Sequence, residues 1–371
     1  MELSFWERQQ WFSNVDYTIV GSGIVGLHTA LRLRERFPQS KVLVLERGTL
    51  PQGASTKNAG FACFGSLSEI LDDLNSHTEQ QVFSLVEKRW RGLSLLRKRL
   101  ADRNIGLEPY GGYEVFEDTD DAFGGYLEKM PHVNELLRPL FNADVFTAKK
   151  NAFGFKGVRP QLIFNPFEAQ INTGMMMDAL LRQAVLAGVM ILNRQTVTSY
   201  AEKASEVEVV LDDFSFKTRH LLFATNGFAQ SIIKDVKPAR AQVLITSPIP
   251  GLEVKGTFHI DRGFYYFRNV GNRILLGGGR NLDFKGETTT GFGLSTVIQD
   301  RLEDLLSHVI LPGKDYTVEH RWSGIMGVGA AKSPIVKQLS NRVYCGVRLG
   351  GMGVAIGSLV GTELADLVQN D

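Results

Sequence analysis

The sequence predicts an α/β protein in which a parallel sheet is interleaved with a second, antiparallel α+β domain. Three features support this prediction. A strand, a glycine-rich turn and a helix open the chain within residues 16–46, and the same order of elements closes it at residues 342–368. Between them, residues 240–285 contain four short strands separated by proline and glycine turns. At 371 residues the chain is longer than one ordinary core accommodates, so we expect two domains.

The opening turn has the spacing of a dinucleotide-binding motif. Residues 16–20 form a short strand, and three glycines follow it directly in G-x-G-x-x-G spacing. Glycines at these positions permit a tight turn, close approach of a pyrophosphate and close packing of the next helix on the strand. The N-terminus of that helix favours phosphate through its free N–H groups and its dipole. The predicted cofactor residues of this turn are Gly21, Ser22, Gly23, Ile24 and Gly26.

The second strand of this unit ends on an acid. Residues 41–45 are a nearly continuous apolar run, typical of a buried parallel strand, and Glu46 follows it. A carboxylate at this point accepts hydrogen bonds from ribose hydroxyls and repels a 2′-phosphate. The sequence therefore predicts an adenosine dinucleotide without a 2′-phosphate.

Further elements follow from periodicity. An apolar stripe predicts helix within residues 67–105, and alternation predicts a strand at 113–117. A helix at 175–187 ends at Gly188, and a buried strand at 189–192 resumes the opening pattern. Residues 207–217 are predicted to form a hairpin, and residues 294–309 a helix before the last strand.

Composition excludes several classes of protein. A hydrophobic fraction of 43% and a charged fraction of 22% are those of a globular protein, and a net charge of +1 gives no global attraction to nucleic acid. The cations at 88–99 are predicted to form a solvated helix face. Cys63 and Cys345 make neither a disulfide framework nor a metal cluster, so no metal is predicted. We find no signal peptide or membrane span and expect a cytoplasmic protein, with peripheral membrane contact left open.

Residues 47–66 distinguish two classes of dinucleotide protein. A nicotinamide domain continues with another helix and strand, whereas here a loop rich in Gly, Ser, Thr and Asn follows the acid. With this loop and the closing glycine turn, the chain resembles the D-amino-acid oxidase family of flavoproteins, which includes glycine oxidase and monomeric sarcosine oxidase. The resemblance implies a glutathione-reductase-type FAD-binding Rossmann domain, with a parallel sheet plus β-meander, and non-covalent FAD. An ordinary surface loop is the alternative interpretation of residues 47–66.

The resemblance also implies which residues contact FAD. The loop after Glu46 wraps the pyrophosphate and flavin, and a position near 197 contacts the adenine side. A small-residue turn at 224–227 allows close approach, although a plain strand-end turn is an alternative. The closing turn places a helix N-terminus at the flavin N1–C2=O edge, where reduced flavin is negative. The residues implied are Arg47, Ser55, Thr56, Lys57, Asn58, Ala59, Gly60, Val197, Ala224, Thr225, Asn226, Gly227, Gly350, Gly351, Met352, Gly353 and Val354.

The chemistry that the resemblance implies is hydride transfer from an amine-bearing carbon to flavin N5, which gives an imine that water hydrolyses. The partners implied are a small amine or amino acid and an electron acceptor, either O₂ or a quinone. The 7 histidines are scattered, and the sequence shows no compact histidine or carboxylate cluster, so no acid/base residue is predicted.

Substrate recognition departs from the family pattern. Amino-acid oxidases carry an arginine for the substrate carboxylate where this chain has Met326, and the Trp-x-Gly form here is similar to amine-oxidising relatives such as γ-glutamylputrescine oxidase. We expect Tyr265, Tyr266, Phe267 and Trp322 to wall an amine pocket through apolar and cation–π contacts, with a role as core aromatics the equal alternative.

Two arginines remain as candidates if the substrate carries a carboxylate. They are Arg268, at the end of a strand expected to face the substrate, and Arg348, which precedes the closing glycines and is favoured for that reason. A surface salt bridge is the alternative role for each of them.

The predicted FAD-binding domain comprises residues 1–75, 156–239 and 320–371, and the substrate domain comprises residues 76–155 and 240–319. Two other functions stay open at this point. One is the FAD half of a tRNA wobble-uridine modifying enzyme without its methyltransferase half, against which the balanced charge argues. The other is a redox-inert flavin-binding protein.

Overall fold

The computed structural model describes residues 2–369. The helices among them are α1 (Phe5–Glu7), α2 (Ile24–Arg36), α3 (Leu67–Leu74), α4 (Glu79–Leu100), α5 (Phe123–Phe141), α6 (Thr173–Leu186), α7 (Thr296–Asp304) and α8 (Gly353–Asp366). The strands are β1 (Val15–Val20), β2 (Val42–Glu46), β3 (Phe61–Ala62), β4 (Gly112–Val115), β5 (Thr147–Lys150), β6 (Gln161–Asn165), β7 (Ala169–Gln170), β8 (Met190–Asn193), β9 (Val197–Glu202), β10 (Val207–Leu211), β11 (Ser215–Phe223), β12 (Lys237–Thr246), β13 (Thr257–Ile260), β14 (Tyr265–Val270), β15 (Arg273–Gly278), β16 (Val318–Val328), β17 (Ile335–Ser340) and β18 (Val343–Val347).

The first large sheet has the order β17-β18-β11-β1-β2-β8, and the five strands from β18 to β8 run parallel. Strands β9 and β10 pair antiparallel with each other, and β10 with β11, which forms the predicted meander. All five residues of β2 are buried, as a continuous apolar run in a two-sided parallel strand predicts. Helices α2 and α8 cover one face of the sheet, and β9 and β10 contribute to a separate core on the other. The predicted α/β class is confirmed.

The second large sheet has the order β16-β12-β15-β14-β13-β4-β6-β5 and is antiparallel apart from the β13–β4 pair. The four strands predicted within residues 240–285 are β12 to β15, with the predicted order and bounds within a few residues. Helix α7 packs on the outer face over an aromatic and aliphatic core. The inner face is turned towards the first sheet and its glycine turns.

Two strands of the antiparallel sheet lie in segments that were predicted to belong to the FAD-binding domain. Strand β6 (Gln161–Asn165) pairs with β4 and β5, and β16 (Val318–Val328) pairs with β12 over its length. Both belong to the antiparallel sheet, although residues 156–239 and 320–371 were expected to belong to the FAD-binding domain. The sheet to which each strand belongs depends on its hydrogen-bonding partners elsewhere in the chain. The local pattern of a short strand does not reveal those partners.

The predicted helix at 67–105 is interrupted. Thr78 caps the N-terminus of α4 by accepting a hydrogen bond from the main-chain N–H of Gln81, whose side chain bonds back to the N–H of Thr78. This capping box begins a new helix after α3 ends at Leu74. Among residues 2–369, no helix has the length and apolar character that crossing a bilayer requires.

Candidate active site

A cavity of about 820 Å³ lies between the glycine turns of the first sheet and the inner face of the second. Its walls come from the ends of β1, β2 and β11, the loop 53–61, strands β13 and β14, and the closing turn before α8. The ends of parallel strands and one face of the antiparallel sheet therefore meet around one space, and the ends of parallel strands are the usual setting of a ligand site in α/β folds.

The opening turn is a cradle that only glycines permit. Gly21 has φ of +106°, a left-handed value, and a Cβ on Gly26 would lie 1.9 Å from the carbonyl oxygen of Gly21. A Cβ on Gly23 would lie 2.7 Å from Ser55 Oγ, which accepts a hydrogen bond of 2.9 Å from the N–H of Ile24. The N-terminus of α2 thus borders a small cradle lined by glycines, and the positive end of the helix dipole at this point suits a pyrophosphate.

Glu46 is buried at the end of β2 and lines the cavity. One carboxylate oxygen accepts hydrogen bonds from the N–H and the hydroxyl of Ser22, at 3.2 and 2.9 Å. The other accepts from the N–H of Gly48 at 2.9 Å. The acid therefore connects β2 to the opening turn, in addition to facing the place where a ribose is expected.

Side-chain amides shape the remaining turns. Asn58 donates to the carbonyls of Ala54 and Ser55, at 3.2 and 2.9 Å, and so closes the loop 53–60 on itself. Asn226 accepts from the N–H groups of Arg348 and Leu349, both at 3.1 Å, and so joins the β11 turn to the closing turn. The Asn58 bonds fix the shape of the loop, and the Asn226 bonds fix the position of the closing turn relative to the β11 turn.

One hydroxyl of the cavity wall bears on which ligands fit. The Thr225 Oγ1 atom is buried and has no hydrogen-bond partner among the described residues, although Thr225 lines the cavity. Buried hydroxyls in folded proteins almost always have a partner, so a bound molecule is the natural one here.

Most of the predicted cofactor residues are brought together around this cavity. Those lining it are Gly21, Gly23, Ile24, Glu46, Arg47, Ser55, Lys57, Asn58, Ala59, Gly60, Val197, Ala224, Thr225, Asn226, Gly350, Gly351, Met352, Gly353 and Val354. Four others lie one layer behind the lining: Ser22, Gly26, Thr56 and Gly227. Each of these four supports the wall; a Cβ on Gly227, for example, would lie 2.4 Å from the carbonyl oxygen of Met326.

The inner face of the second sheet presents one row of side chains. The strand register pairs Glu114 with His259, His259 with Tyr266, and Tyr266 with Gly277. A Cβ on Gly277 would lie 2.7 Å from the Tyr266 ring, so the glycine gives the ring room. Burial raises the pKa of Tyr266 to about 12, and the phenol therefore keeps its proton at neutral pH. Tyr266 and His259 line the cavity, and Tyr266 lies where a substrate wall was predicted.

Three aromatics predicted to wall the pocket, Tyr265, Phe267 and Trp322, do not line it, and Phe267 is fully buried in the outer core. Tyr265 points to the opposite face of the sheet, because neighbouring strand residues alternate, and it is buried in the outer core. Trp322 packs beside Val243 and Leu275 at the edge of the inner face, and its indole N–H donates to the carbonyl of Lys57 at 2.9 Å.

The two predicted carboxylate anchors are occupied elsewhere. Arg268 is buried and donates to the carbonyls of Ala59 and Ile171, the latter at 3.0 Å. Burial lowers its pKa to about 10. The Arg348 guanidinium pairs with Asp235 and donates to the carbonyl of Ser333 at 3.0 Å. Neither arginine lines the cavity, because both side chains fold back onto the protein's own oxygens.

A buried arginine that the sequence interpretation placed on a solvated face does line the cavity. Arg89, on α4, is 6% exposed and donates to the carbonyl of Phe64 at 2.9 Å. Its Nε has no partner among residues 2–369. Burial lowers its pKa, which the nearby carboxylates of Glu69 and Asp73 oppose. One feature of the sequence is consistent with the burial of Arg89. It lies three residues after Val86 and four before Leu93, and therefore falls within the apolar stripe of α4.

The structure also assembles a buried group that the scattered histidines did not predict. The His259 Nε2 atom lies 3.0 Å from a Glu168 carboxylate oxygen, which also accepts from the Thr257 hydroxyl at 2.9 Å. Cys63 is close by, and one ligand atom from each of Cys63, Glu168 and His259 lies within 4.8 Å of the others. Burial and two carboxylates raise the pKa of the Cys63 thiol well above its usual value, so it keeps its proton. We assign no ion to this group.

Comparisons with known proteins agree with this geometry. The model of a family described as FAD-dependent oxidoreductase (DAO) matches residues 16–367. The probable oxidoreductase OrdL of Haemophilus influenzae is 20% identical over 96% of this chain and 84% of its own length. Among solved structures, L-proline dehydrogenase from P. horikoshii has a TM-score of 0.75 at 17% identity, covering 95% of this chain and 93% of that one. Glycine oxidase from Geobacillus kaustophilus has a TM-score of 0.74 at 18% identity, covering 95% and 94%.

Proposed function

Because this chain belongs to the DAO family of FAD-dependent oxidoreductases, we propose that it oxidises the C–N bond of a small amine or amino acid. One observation carries the proposal. The cavity runs without interruption from the dinucleotide cradle to the row that holds His259 and Tyr266. A small molecule bound against that row would lie beside the cofactor.

The residues present fit FAD. The glycine cradle at the N-terminus of α2 suits the pyrophosphate, Glu46 suits the ribose, and the buried hydroxyl of Thr225, which has no partner among the described residues, suits a polar group of the cofactor. When bound, FAD supplies the acceptor for the hydride that leaves the amine-bearing carbon. We propose that it is held without a covalent bond, since the buried Cys63 keeps its proton and is a poor nucleophile in that state.

The polar groups around the cavity support two kinds of substrate. Tyr266 offers an aromatic surface and a neutral phenol to an amine. Arg89 is the buried guanidinium with a donor left over, and we propose that it binds the carboxylate if the substrate is an amino acid. This assignment replaces Arg348 and Arg268, which are bonded to the protein itself.

An anaerobic screen of amino acids and their decarboxylated amines tests the proposal, with bleaching of the flavin absorbance as the readout. Bleaching by one of these compounds supports C–N oxidation, and its absence with all of them would favour a redox-inert flavin protein. Reoxidation by air or by a soluble quinone then identifies the acceptor.

Arg89→Met, compared with Arg91→Met, tests the carboxylate anchor. Arg91 is exposed two residues further along α4, so it controls for the loss of a cation from the same helix. We expect Arg89→Met to lose reduction by the amino acid and to keep reduction by the amine. Equal effects on both substrates would exclude Arg89 as the anchor.

A further inference from the structure

We propose that His259 accepts the proton that the substrate ammonium group must lose, and that Glu168 is the positioning residue that holds His259 for this step. The inference rests on the proposed function, because it concerns an amine bound in the same cavity. It assigns a catalytic role to His259 and a positioning role to Glu168, which comes from a distant part of the chain.

The position of His259 is fixed on three sides. It lies on β13 next to Tyr266 of β14, on the inner face of the sheet, and it lines the cavity while being only 5% exposed. Its Nε2 is 3.0 Å from Glu168, and the Thr257 hydroxyl bonded to the same oxygen holds the carboxylate in place. The Phe61 ring meets the imidazole edge-on, with 5.3 Å between ring centres.

This arrangement decides which ring nitrogen is available. A carboxylate accepts hydrogen bonds only, so Nε2 carries the hydrogen that is shared with Glu168. Within residues 2–369, no hydrogen bond is made to Nδ1 of His259. In the neutral imidazole that atom is an acceptor, and it is the one left for a ligand of the cavity.

The charges around the imidazole are mainly negative. Burial by itself lowers the pKa of His259, but the surrounding carboxylates, Glu168 above all, outweigh it and raise the pKa to about 9. This is close to the pKa of an alkylammonium group, which for lysine is about 10.4. A proton shared between the two groups therefore moves at little cost in either direction. The titratable groups facing His259 from the neighbouring elements are Glu168, Glu114, Glu69, Cys63 and Tyr266.

The proposed step is a simple proton transfer. One N–H bond of the substrate ammonium breaks, the proton binds Nδ1 of neutral His259, and the electron pair stays on the substrate nitrogen. That pair is needed for the C=N bond that forms when hydride leaves the adjacent carbon. The imidazolium that results is stabilised by the Glu168 carboxylate. Since His259 must be neutral to accept the proton, flavin reduction should become faster as the pH rises towards about 9.

The test compares His259→Gln and Glu168→Gln with wild-type holoenzyme. His308→Gln is the matched control, because its imidazole is 76% exposed and remote from the cavity lining. The limiting rate of anaerobic flavin reduction by the best substrate is measured from about pH 6 to pH 10.5. Bound FAD is quantified, and binding of an amine without hydrogen on its amine-bearing carbon is followed through the flavin absorbance.

We expect His259→Gln to be roughly 100-fold slower than wild type near pH 9, where a large share of His259 is neutral and the substrate ammonium still holds its proton; this is the usual size of an acid/base contribution. The deficit should disappear above the pKa of the substrate ammonium, where the amine is already neutral. Glu168→Gln should move the rising limb of the profile to lower pH, because losing the carboxylate lowers the pKa of His259. FAD content and binding of the unreactive amine should remain as in wild type, and His308→Gln should match wild type throughout.

Several results would overturn the inference. A loss of rate in His259→Gln that is the same at every pH would show that His259 has a structural role. If His259→Gln fails to fold, a Glu168→Gln profile whose rising limb lies at the same pH as in wild type would lead to the same conclusion. One equivalent of metal in the purified protein, lost in both variants, would show that Cys63, Glu168 and His259 bind an ion instead. If no amine reduces the wild-type flavin at any pH, the proposed function itself fails, and that outcome is distinct from the others.

Discussion

The indole N–H of Trp322 donates a hydrogen bond of 2.9 Å to the main-chain carbonyl of Lys57. Trp322 lies on β16 of the antiparallel sheet, and Lys57 lies in the loop that borders the cofactor cradle. A Cβ on Gly324 would lie only 3.1 Å from Lys57, so the strand and the loop also pack closely. The tryptophan predicted to wall a substrate pocket instead fixes the loop that is expected to hold the flavin.

Replacing Trp322 by Phe should weaken FAD binding about two- to tenfold. The variant removes the indole donor and leaves the Lys57 carbonyl without it, and a hydrogen bond of this kind contributes about 0.5–1.5 kcal/mol. Fluorescence titration of apoprotein with FAD measures the effect. Trp6→Phe is the control, since Trp6 is 72% exposed on α1. Equal affinities in the two variants would show that the bond does not position the loop.

Gly26→Ala should abolish FAD binding or prevent folding. The new methyl group would lie 1.9 Å from the carbonyl oxygen of Gly21, so either α2 or the opening turn must move. Gly125→Ala makes the same change within α5, where nothing lies within 4 Å of the added carbon. There we expect a stabilisation of about 0.5–1 kcal/mol, because glycine is unfavourable in a helix. Thermal unfolding and FAD content distinguish the two, and a folded, yellow Gly26→Ala protein would contradict the packing described.

Glu46→Gln should weaken FAD binding about ten- to a hundredfold. The carboxylate accepts hydrogen bonds from Ser22 and Gly48 and faces the expected ribose, and charge-assisted bonds contribute about 1.5–3 kcal/mol. Part of this loss should appear in the apoprotein as lower stability, since the bonds to Ser22 and Gly48 exist without cofactor. Glu253→Gln, at an exposed position, should change neither quantity. An unchanged FAD affinity in Glu46→Gln would place the ribose contact elsewhere.

The sequence predicts those features of the fold and site that depend on residues close together in the chain. The glycine cradle, Glu46 and the closing turn are predictable, because each follows from residues a few positions apart. The pairing of His259 with Glu168 joins residues 91 positions apart, and no local pattern indicates it. Adjacent aromatics such as Tyr265 and Tyr266 cannot be separated before the strand is known to have one face on a cavity and the other on a core.

Glu114→Gln should change how stability depends on pH. Glu114 is buried and accepts hydrogen bonds from Ser66 and Ser68, and burial raises its pKa from 4.5 to about 7. The folded state therefore binds more protons than the unfolded state between these values, and the stability that Glu114 contributes is lost as the pH rises through this window. The loss is at most about 3.5 kcal/mol, at about 1.4 kcal/mol per pKa unit.

Urea unfolding of wild type and Glu114→Gln at pH 5, 6, 7 and 8 measures this loss. The variant has no proton to lose, so its stability relative to wild type should rise across the series. Glu128→Gln, at an exposed position, should follow wild type. A constant difference between Glu114→Gln and wild type at all four values would mean that Glu114 is ionised in the folded protein throughout.

Arg348→Met should lower stability without selecting between substrates. The Arg348 guanidinium is nearly buried and pairs with Asp235, whose carboxylate is about half exposed, and it also donates to the carbonyl of Ser333. Removing it leaves these acceptors without their donor, at a cost of about 1–3 kcal/mol in the free energy of unfolding. Asp235→Asn should account for part of the same loss, and the double variant should cost less than the two single losses added, because the side chains interact directly. Reduction by an amino acid and by its decarboxylated amine should be slowed equally, if at all. A loss confined to the amino acid would show that Arg348 leaves Asp235 to bind a substrate carboxylate, and would move the anchor from Arg89 back to the closing turn.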